Sequence, residues 1–194
     1  VGSEMCIRDR LLLARTNNNE TIVGIVSSFM AIGCIVASVL LSILKQPHKK
    51  LPVMYFGSYL CLLGITLFGM GRNLVWWCIV VFIGCFGSPI YHTYQTIIIR
   101  EKVDTTMQGR VFSLQGMITQ ALTPLGFLMG GMLADYIFEP FMKKMSLHKN
   151  MITFLVGRQS GSGIGLIFVI AGVTGTVALT IMKCNPAIKQ LDQL

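Results

Sequence analysis

Residues 73–99 read NLVWWCIVVFIGCFGSPIYHTYQTIII, and these 27 positions contain no formally charged side chain. A helix needs roughly 20 mainly apolar residues to cross the hydrocarbon core of a bilayer. A buried strand of a soluble protein would be much shorter. The stretch therefore predicts a membrane-spanning helix and indicates that lipid is the solvent for much of the chain.

Four other uncharged stretches of similar length lie on either side of it, at residues 21–44, 51–71, 111–134 and 160–182. In lipid the backbone must satisfy its own hydrogen bonds, so runs of this length are expected to be helices. The composition agrees, because 12% of the residues are charged, against roughly 25% in soluble domains. The predicted fold class is an all-α polytopic membrane protein with five transmembrane helices.

The net charge of +8 falls in short bursts between the apolar stretches and makes no single patch. This distribution is typical of loops that face anionic lipid, so we predict the lipid bilayer as a partner and no nucleic acid. The six cysteines make no CxxC pair and lie mostly inside apolar stretches. They predict neither a disulfide nor a metal site, and no cofactor is expected.

The first ten residues, VGSEMCIRDR, have a mixed-charge composition unlike that of the stretches that follow. They resemble read-through from a sequencing adaptor, and we expect residues 1–10 to be foreign to the protein. Residues 11–194 would then be the native part, starting inside a longer protein, with 11–15 as the last turn of an earlier helix.

Residues 101–142 read EKVDTTMQGRVFSLQGMITQALTPLGFLMGGMLADYIFEPFM. This segment resembles the major facilitator superfamily, and within it the bacterial macrolide-efflux and siderophore-exporter-like permeases. In that branch a cytoplasmic loop of the form EKV….QGRVFS joins helices 10 and 11, and a PLG…GPLAD pattern follows. The glycine–proline of that pattern is Gly130–Gly131 or Gly131–Met132 here.

The resemblance extends from residue 21 to about residue 194. It implies that the five helices are numbers 8 to 12 of twelve, a truncated C-terminal six-helix bundle whose N-terminal partner half is missing. It further implies a bacterial inner membrane protein with segments 45–50 and 100–110 and the C-terminus in the cytoplasm.

The resemblance also implies a function. The expected protein is not an enzyme but a secondary active transporter that works by alternating access. It would export an amphiphilic small molecule, such as a macrolide-like drug, with protons as the coupling ion. A structural or assembly membrane protein without transport stays an alternative, and it predicts no polar stripe facing a cavity. A membrane-embedded enzyme would need clustered His, Asp, Glu or Cys at one depth, and the sequence has no such cluster.

Two stripes of polar residues are the candidates for a substrate path. They recur at helical spacing, and polar groups at membrane depth usually face the bundle interior or a water-filled cavity. The residues are Ser88, Tyr91, His92, Gln95 and Thr96 on the third predicted helix, and Gln120 and Thr123 on the fourth. Contact between helices is the alternative role for these side chains. His92 is the candidate proton or hydrogen-bond site.

The charged segment 100–110 is the second candidate site. Glu101, Lys102 and Arg110 are predicted either to form ion pairs that close a cytoplasmic gate or to lie in a solvated loop. Gln108 and Gly109 are expected to relax the backbone before Arg110 starts the next helix.

Small residues and prolines are predicted to allow bending and close helix packing. The bend and packing candidates are Pro89, Pro124, Gly126, Gly130 and Gly131. Pairs of small residues four apart are predicted to let helix backbones approach, at Gly33 and Ala37, Gly126 and Gly130, Gly161 and Gly165, and Ala171 and Gly175.

Overall fold

A computed structural model of the chain describes residues 2–16, 18–45, 47, 50–71, 73–138, 140 and 162–184. These residues are almost entirely helical and contain no strand, which confirms the predicted all-α class. The helices are α1 (Gly2–Arg15), α2 (Glu20–Ile43), α3 (Lys50–Met70), α4 (Leu74–Lys102), α5 (Thr105–Met132), a π-helical extension of α5 (Leu133–Phe138), and α6 (Ser162–Cys184).

Helices α2 to α6 are each long and apolar enough to cross a membrane. They correspond to the five predicted spans, but two helix ends differ. Helix α4 continues past residue 99 to Lys102, and α5 begins at Thr105 instead of 111. The predicted loop 100–110 therefore shrinks to Val103 and Asp104. The cause is that the first charged residue marks the edge of the hydrocarbon, whereas the backbone hydrogen bonds of a helix continue into the headgroup region. The break predicted from the sequence at Arg72 lies outside the described residues. The sequence also predicts a connection at 135–159, but the helix continues to Phe138, and residues 141–159 lie outside the described residues.

Helix α4 lies at the centre of the packing. It packs against α3 on one side and α2 on another, and α3 in turn packs against α6. Helices α3 and α4 are antiparallel, with Lys50 beside Glu101 at one end. Lys183, near the end of α6, lies over the ring of Tyr59, in the half of α3 nearer to this end. We call the end that holds Lys50 and Glu101 the basic end of the bundle.

Glycines make the interface between α3 and α4. A Cβ atom added to Gly64 would lie 2.5 Å from the Cα of Gly84, and one added to Gly87 would lie 2.5 Å from the carbonyl oxygen of Gly57. Without side chains at these positions the two backbones are in direct contact, so van der Waals packing rather than hydrophobic burial holds this pair of helices in lipid.

The predicted small-residue pairs have different outcomes. Gly33 and Ala37 are buried, and a Cβ on Gly33 would lie 2.9 Å from the Phe82 carbonyl oxygen, so close packing at this pair is confirmed. Gly175 of α6 contacts Leu62 of α3. At Gly126 and Gly131 of α5, however, a Cβ would meet nothing within 4 Å among the described residues. Packing at those two glycines stays a prediction. Gly161 lies outside the described residues.

Helix α1 joins residues 2–10 to residues 11–15 without a break. Leu11 and Leu12 are fully buried in one cluster with Val26 and Trp77, and the helix ends at Arg15. That residues 11–15 are the last turn of an earlier native helix stays a prediction. Arg8 is also buried; its Nη1 donates to the Met30 sulfur and its Nη2 pairs with the Asp9 carboxylate at 3.5 Å, whereas its Nε has no hydrogen-bond partner among the described residues. The foreign origin of residues 1–10 stays a prediction.

Candidate functional site

The polar stripe of α4 points into the gap between α2 and α3. Gly84 and Gly87 face α3, whereas Cys85 faces α2, where the Sγ of Cys34 lies 3.6 Å from the Cys85 carbonyl oxygen. A helix turns about 100° per residue. The directions of Ser88, His92 and Gln95 therefore fall between the two neighbouring helices.

Tyr91 and Thr96 lie at the two edges of this stripe. The backbone of Tyr91 approaches Gly57 of α3, and its ring packs edge-to-face on His92 with 5.1 Å between ring centroids. Thr96 lies on the α2 side, and its hydroxyl donates to the His92 carbonyl oxygen at 2.8 Å. The hydroxyl hydrogen of Thr96 is therefore already used within the helix.

Toward the start of α4, at the other end of the bundle, the same side of the helix is apolar and buried. There Trp77 and Val81 are buried in the cluster that contains Leu11 and Leu12 of α1. From Ser88 onward His92 is exposed, and the other four stripe residues are half-buried. The face is thus apolar where its residues belong to this buried cluster, and polar and less buried from Ser88 onward. Position on the helix, and not residue type alone, separates the predicted stripe from the core.

The stripe of α5 is in a different environment. Gln120 is exposed, Thr123 is half-buried, and the Thr123 hydroxyl donates to the Thr119 carbonyl oxygen at 2.7 Å. No described residue between Thr105 and Met132 is buried. The described residues therefore do not bring the two predicted stripes together. A substrate-path role for Gln120 and Thr123 stays a prediction.

An ion pair links α3 and α4 at the basic end. The Nζ of Lys50, the first residue of α3, pairs with the Oε1 of Glu101. The sequence predicts pairs among Glu101, Lys102 and Arg110, but in the structure the partner of Glu101 is Lys50. Lys102 and Arg110 are exposed. Lys50 was missed because it was assigned to a separate loop. The antiparallel hairpin of α3 and α4, which returns Glu101 to the level of Lys50, could have indicated the pair.

Gln108 ends α4 from the first turn of α5. Its Nε2 donates to the carbonyl oxygens of Arg100 at 3.0 Å and Val103 at 3.1 Å. These carbonyls have no further partner along the helix, so the side chain acts as a C-terminal cap. The prediction that Gln108 and Gly109 relax the backbone before Arg110 is wrong, because all three residues lie within α5. The cap lets the chain reverse in two residues, and α5 can then begin at Thr105.

Five spans and an uncovered polar face on the central helix are the features to compare with known proteins. The chain is similar to macrolide efflux proteins. It is 25% identical over 123 residues to macrolide efflux protein A of Streptococcus pyogenes and to the same protein of S. pyogenes serotype M6. The similarity covers 62% of this chain, and the chain spans 30% of the length of each relative. No family model matches the chain. No solved structure matches it.

These findings agree at a coarse level. The five apolar helices make the chain a multi-pass helical membrane protein, and the distant similarity connects it to efflux proteins.

Proposed function

We propose that the chain is the C-terminal part of a secondary active transporter of the major facilitator superfamily, an efflux permease for an amphiphilic small molecule. The observation that carries this proposal is the polar face of α4, which no described helix fully covers. A purely structural helix would gain nothing from five polar groups at this depth, since each costs free energy in lipid unless it is hydrated or paired. The similarity to macrolide efflux proteins supports export as the direction.

The basic end is proposed to face the cytoplasm. It holds the exposed Lys45, Arg100, Lys102, Arg110 and Lys183. An excess of Lys and Arg in short segments beside transmembrane helices is typical of the cytoplasmic side. A cytoplasmic C-terminus and a bacterial inner membrane are accordingly part of the proposal.

Transport is proposed to proceed by alternating access, with the rest of the protein forming the opposite wall. The glycine contacts make α3 and α4 a rigid pair. The Lys50–Glu101 ion pair lies at the end of this pair where a cytoplasmic gate would close. Exposed ion pairs contribute about 0–1 kcal/mol, which can bias a nearly balanced conformational equilibrium without locking it.

Proton coupling is proposed to involve His92. The uncharged core of each span contains no Asp or Glu, and His92 lies eight residues before Arg100, about 12 Å from the edge of the apolar run at a rise of about 1.5 Å per residue. Imidazole is a side chain that can both take up and release a proton.

Dye efflux from cells that express the protein tests this function. Efflux that stops when an ionophore collapses the proton gradient supports proton-driven export. Efflux that continues unchanged after collapse would remove the coupling. Equal efflux by the parent protein and a His92→Ala variant would remove His92 from the mechanism and leave export itself in place.

A structural protein without transport is the competing proposal, and the glycine contacts of α3 and α4 favour it in one respect, because they suit a static bundle. It predicts that dye accumulates equally in cells with and without the protein. The same efflux assay therefore decides between the two.

A further inference from the structure

An open groove runs along α4 at the basic end. Its lining residues are His92, Thr93, Thr96, Ile97 and Arg100. These residues lie on the same side of α4 as Phe82 and Cys85, which are nearer the start of the helix. Both Phe82 and Cys85 contact α2. The groove therefore lies in line with the surface of α4 that α2 covers along its first half.

The groove exists because α2 ends before α4 does. The two helices run parallel, with Gly33 against Phe82. Ten residues of α2 follow Gly33, up to Ile43, whereas twenty residues of α4 follow Phe82, up to Lys102. The excess of ten residues leaves about 15 Å of α4 without α2 beside it. Beyond Ala37, no residue of α2 is buried.

Two polar groups of the groove, the Arg100 guanidinium and the Thr93 hydroxyl, can donate hydrogen bonds to a ligand. Within the described residues, no carboxylate pairs with the Arg100 guanidinium, since Glu101 is engaged by Lys50 on the α3 side. Nor does the Thr93 hydroxyl have a partner there, whereas Thr66, Thr96 and Thr119 each donate to the carbonyl four residues earlier. A guanidinium has five donors and no acceptor. Such a set fits an anion with several acceptor oxygens.

The position of the groove selects the kind of anion. Arg100 is the first charged residue after 27 uncharged ones, so it lies where hydrocarbon gives way to headgroups. A helix C-terminus carries a partial negative charge that would repel an anion. Here Gln108 covers the Arg100 and Val103 carbonyl oxygens, and Arg100 and Lys102 add positive charge in the last turn.

We propose that this groove binds the phosphate of an anionic phospholipid from the leaflet at the basic end. Arg100 and Thr93 donate to the phosphate oxygens, and Ile97 contacts the apolar part of the lipid. This site does not depend on transport, and it would exist in a protein that moves no substrate.

Native mass spectrometry of the detergent-purified protein with phosphatidylglycerol or phosphatidylcholine tests the site. We expect a first phosphatidylglycerol to bind more tightly than phosphatidylcholine. Thr93→Val keeps the shape and charge of the residue, and it should weaken this first binding about fivefold, the effect of one lost hydrogen bond. Arg100→Gln should weaken it at least as much, since one basic residue near an anionic surface has about that effect.

Three controls make the outcome decisive. Thr119→Val, which alters a threonine of α5, should leave binding unchanged. Arg110→Gln removes the same charge outside the groove and should have less effect than Arg100→Gln. Inorganic phosphate at the lipid concentration should not displace phosphatidylglycerol. Equal binding by Thr93→Val and the parent, equal loss in the two arginine variants, equal binding of both lipids, or displacement by free phosphate would each overturn the proposal.

Discussion

Helices α4 and α5 share several sequence features but lie in different environments. Both are long, both have an internal proline and a polar stripe, and neither has a charge in its apolar run. Yet α4 buries eight residues against its neighbours, whereas α5 buries none among the described residues. In lipid the backbone satisfies itself, so a helix can form without a partner. Where it packs is then decided by matching small residues on another helix.

The contrast between Gly64 of α3, which contacts α4, and Gly116 of α5 gives the largest expected effect. A Cβ on Gly64 would clash with the α4 backbone, but a Cβ on Gly116 would meet nothing within 4 Å. Gly64→Ala should lower the free energy of unfolding by about 1–3 kcal/mol, the usual cost of overpacking. Gly116→Ala should raise it by about 0.5–1 kcal/mol, because alanine is the better helix former. Unfolding in mixed detergent micelles measures both, and effects of the same sign would contradict the assigned packing.

The two stripes can be compared by removing one amide from each. Gln95→Leu, on the stripe of α4, should reduce dye efflux about tenfold, equivalent to about 1.4 kcal/mol. Gln120→Leu, on α5, makes the matched change where the described residues provide no second wall, and it should reduce efflux less. Protein levels in the membrane are measured alongside. A larger loss at Gln120 would reverse the assignment of the path.

The connection between α4 and α5 depends on one side chain. Gln108→Ala removes two hydrogen bonds to the end of α4 and should destabilise the protein by about 1 kcal/mol. Spin labels on α4 and α5 should then report a broader distance distribution. Gln115→Ala, about two helical turns farther along α5, is the control. It should leave both the stability and the distance distribution unchanged. If the distance distribution in Gln108→Ala is as narrow as in the parent, the cap does not fix the angle between α4 and α5.

The smallest expected effect concerns the ion pair at the basic end. Lys50→Gln should change stability by no more than about 1 kcal/mol, because the Glu101 side chain is 52% exposed and exposed pairs contribute little. The double exchange Lys50→Glu with Glu101→Lys should restore the parent value at low salt, while Lys102→Gln should have no effect. A loss in Lys50→Gln that persists in 1 M salt, where charges beyond about 3 Å are screened, would mean that the pair is not an exposed one.

The sequence predicted the spans because the absence of charge over more than 20 residues reports membrane depth directly. It could not predict the helix ends, because charged residues do not interrupt the helical backbone. Helix α4 continues through Glu101 and Lys102, and α5 already includes Arg110. The polar stripe of α4 was visible from spacing alone. Its direction was not, because that depends on Gly84 and Cys85 meeting two different helices. The Lys50–Glu101 pair and the Gln108 cap join residues that the sequence placed in separate segments or in a loop.

Thiol labelling from the cytoplasmic side tests the uncovered polar face of α4 most directly. In a background without native cysteines, Gln95→Cys on the polar face should react quickly with a charged methanethiosulfonate, and the exported compound should slow that reaction. Ile83→Cys projects away from both α2 and α3 and should stay unreactive. If Gln95→Cys is inert, or if Ile83→Cys reacts as fast, then the polar face of α4 is not a water-accessible path.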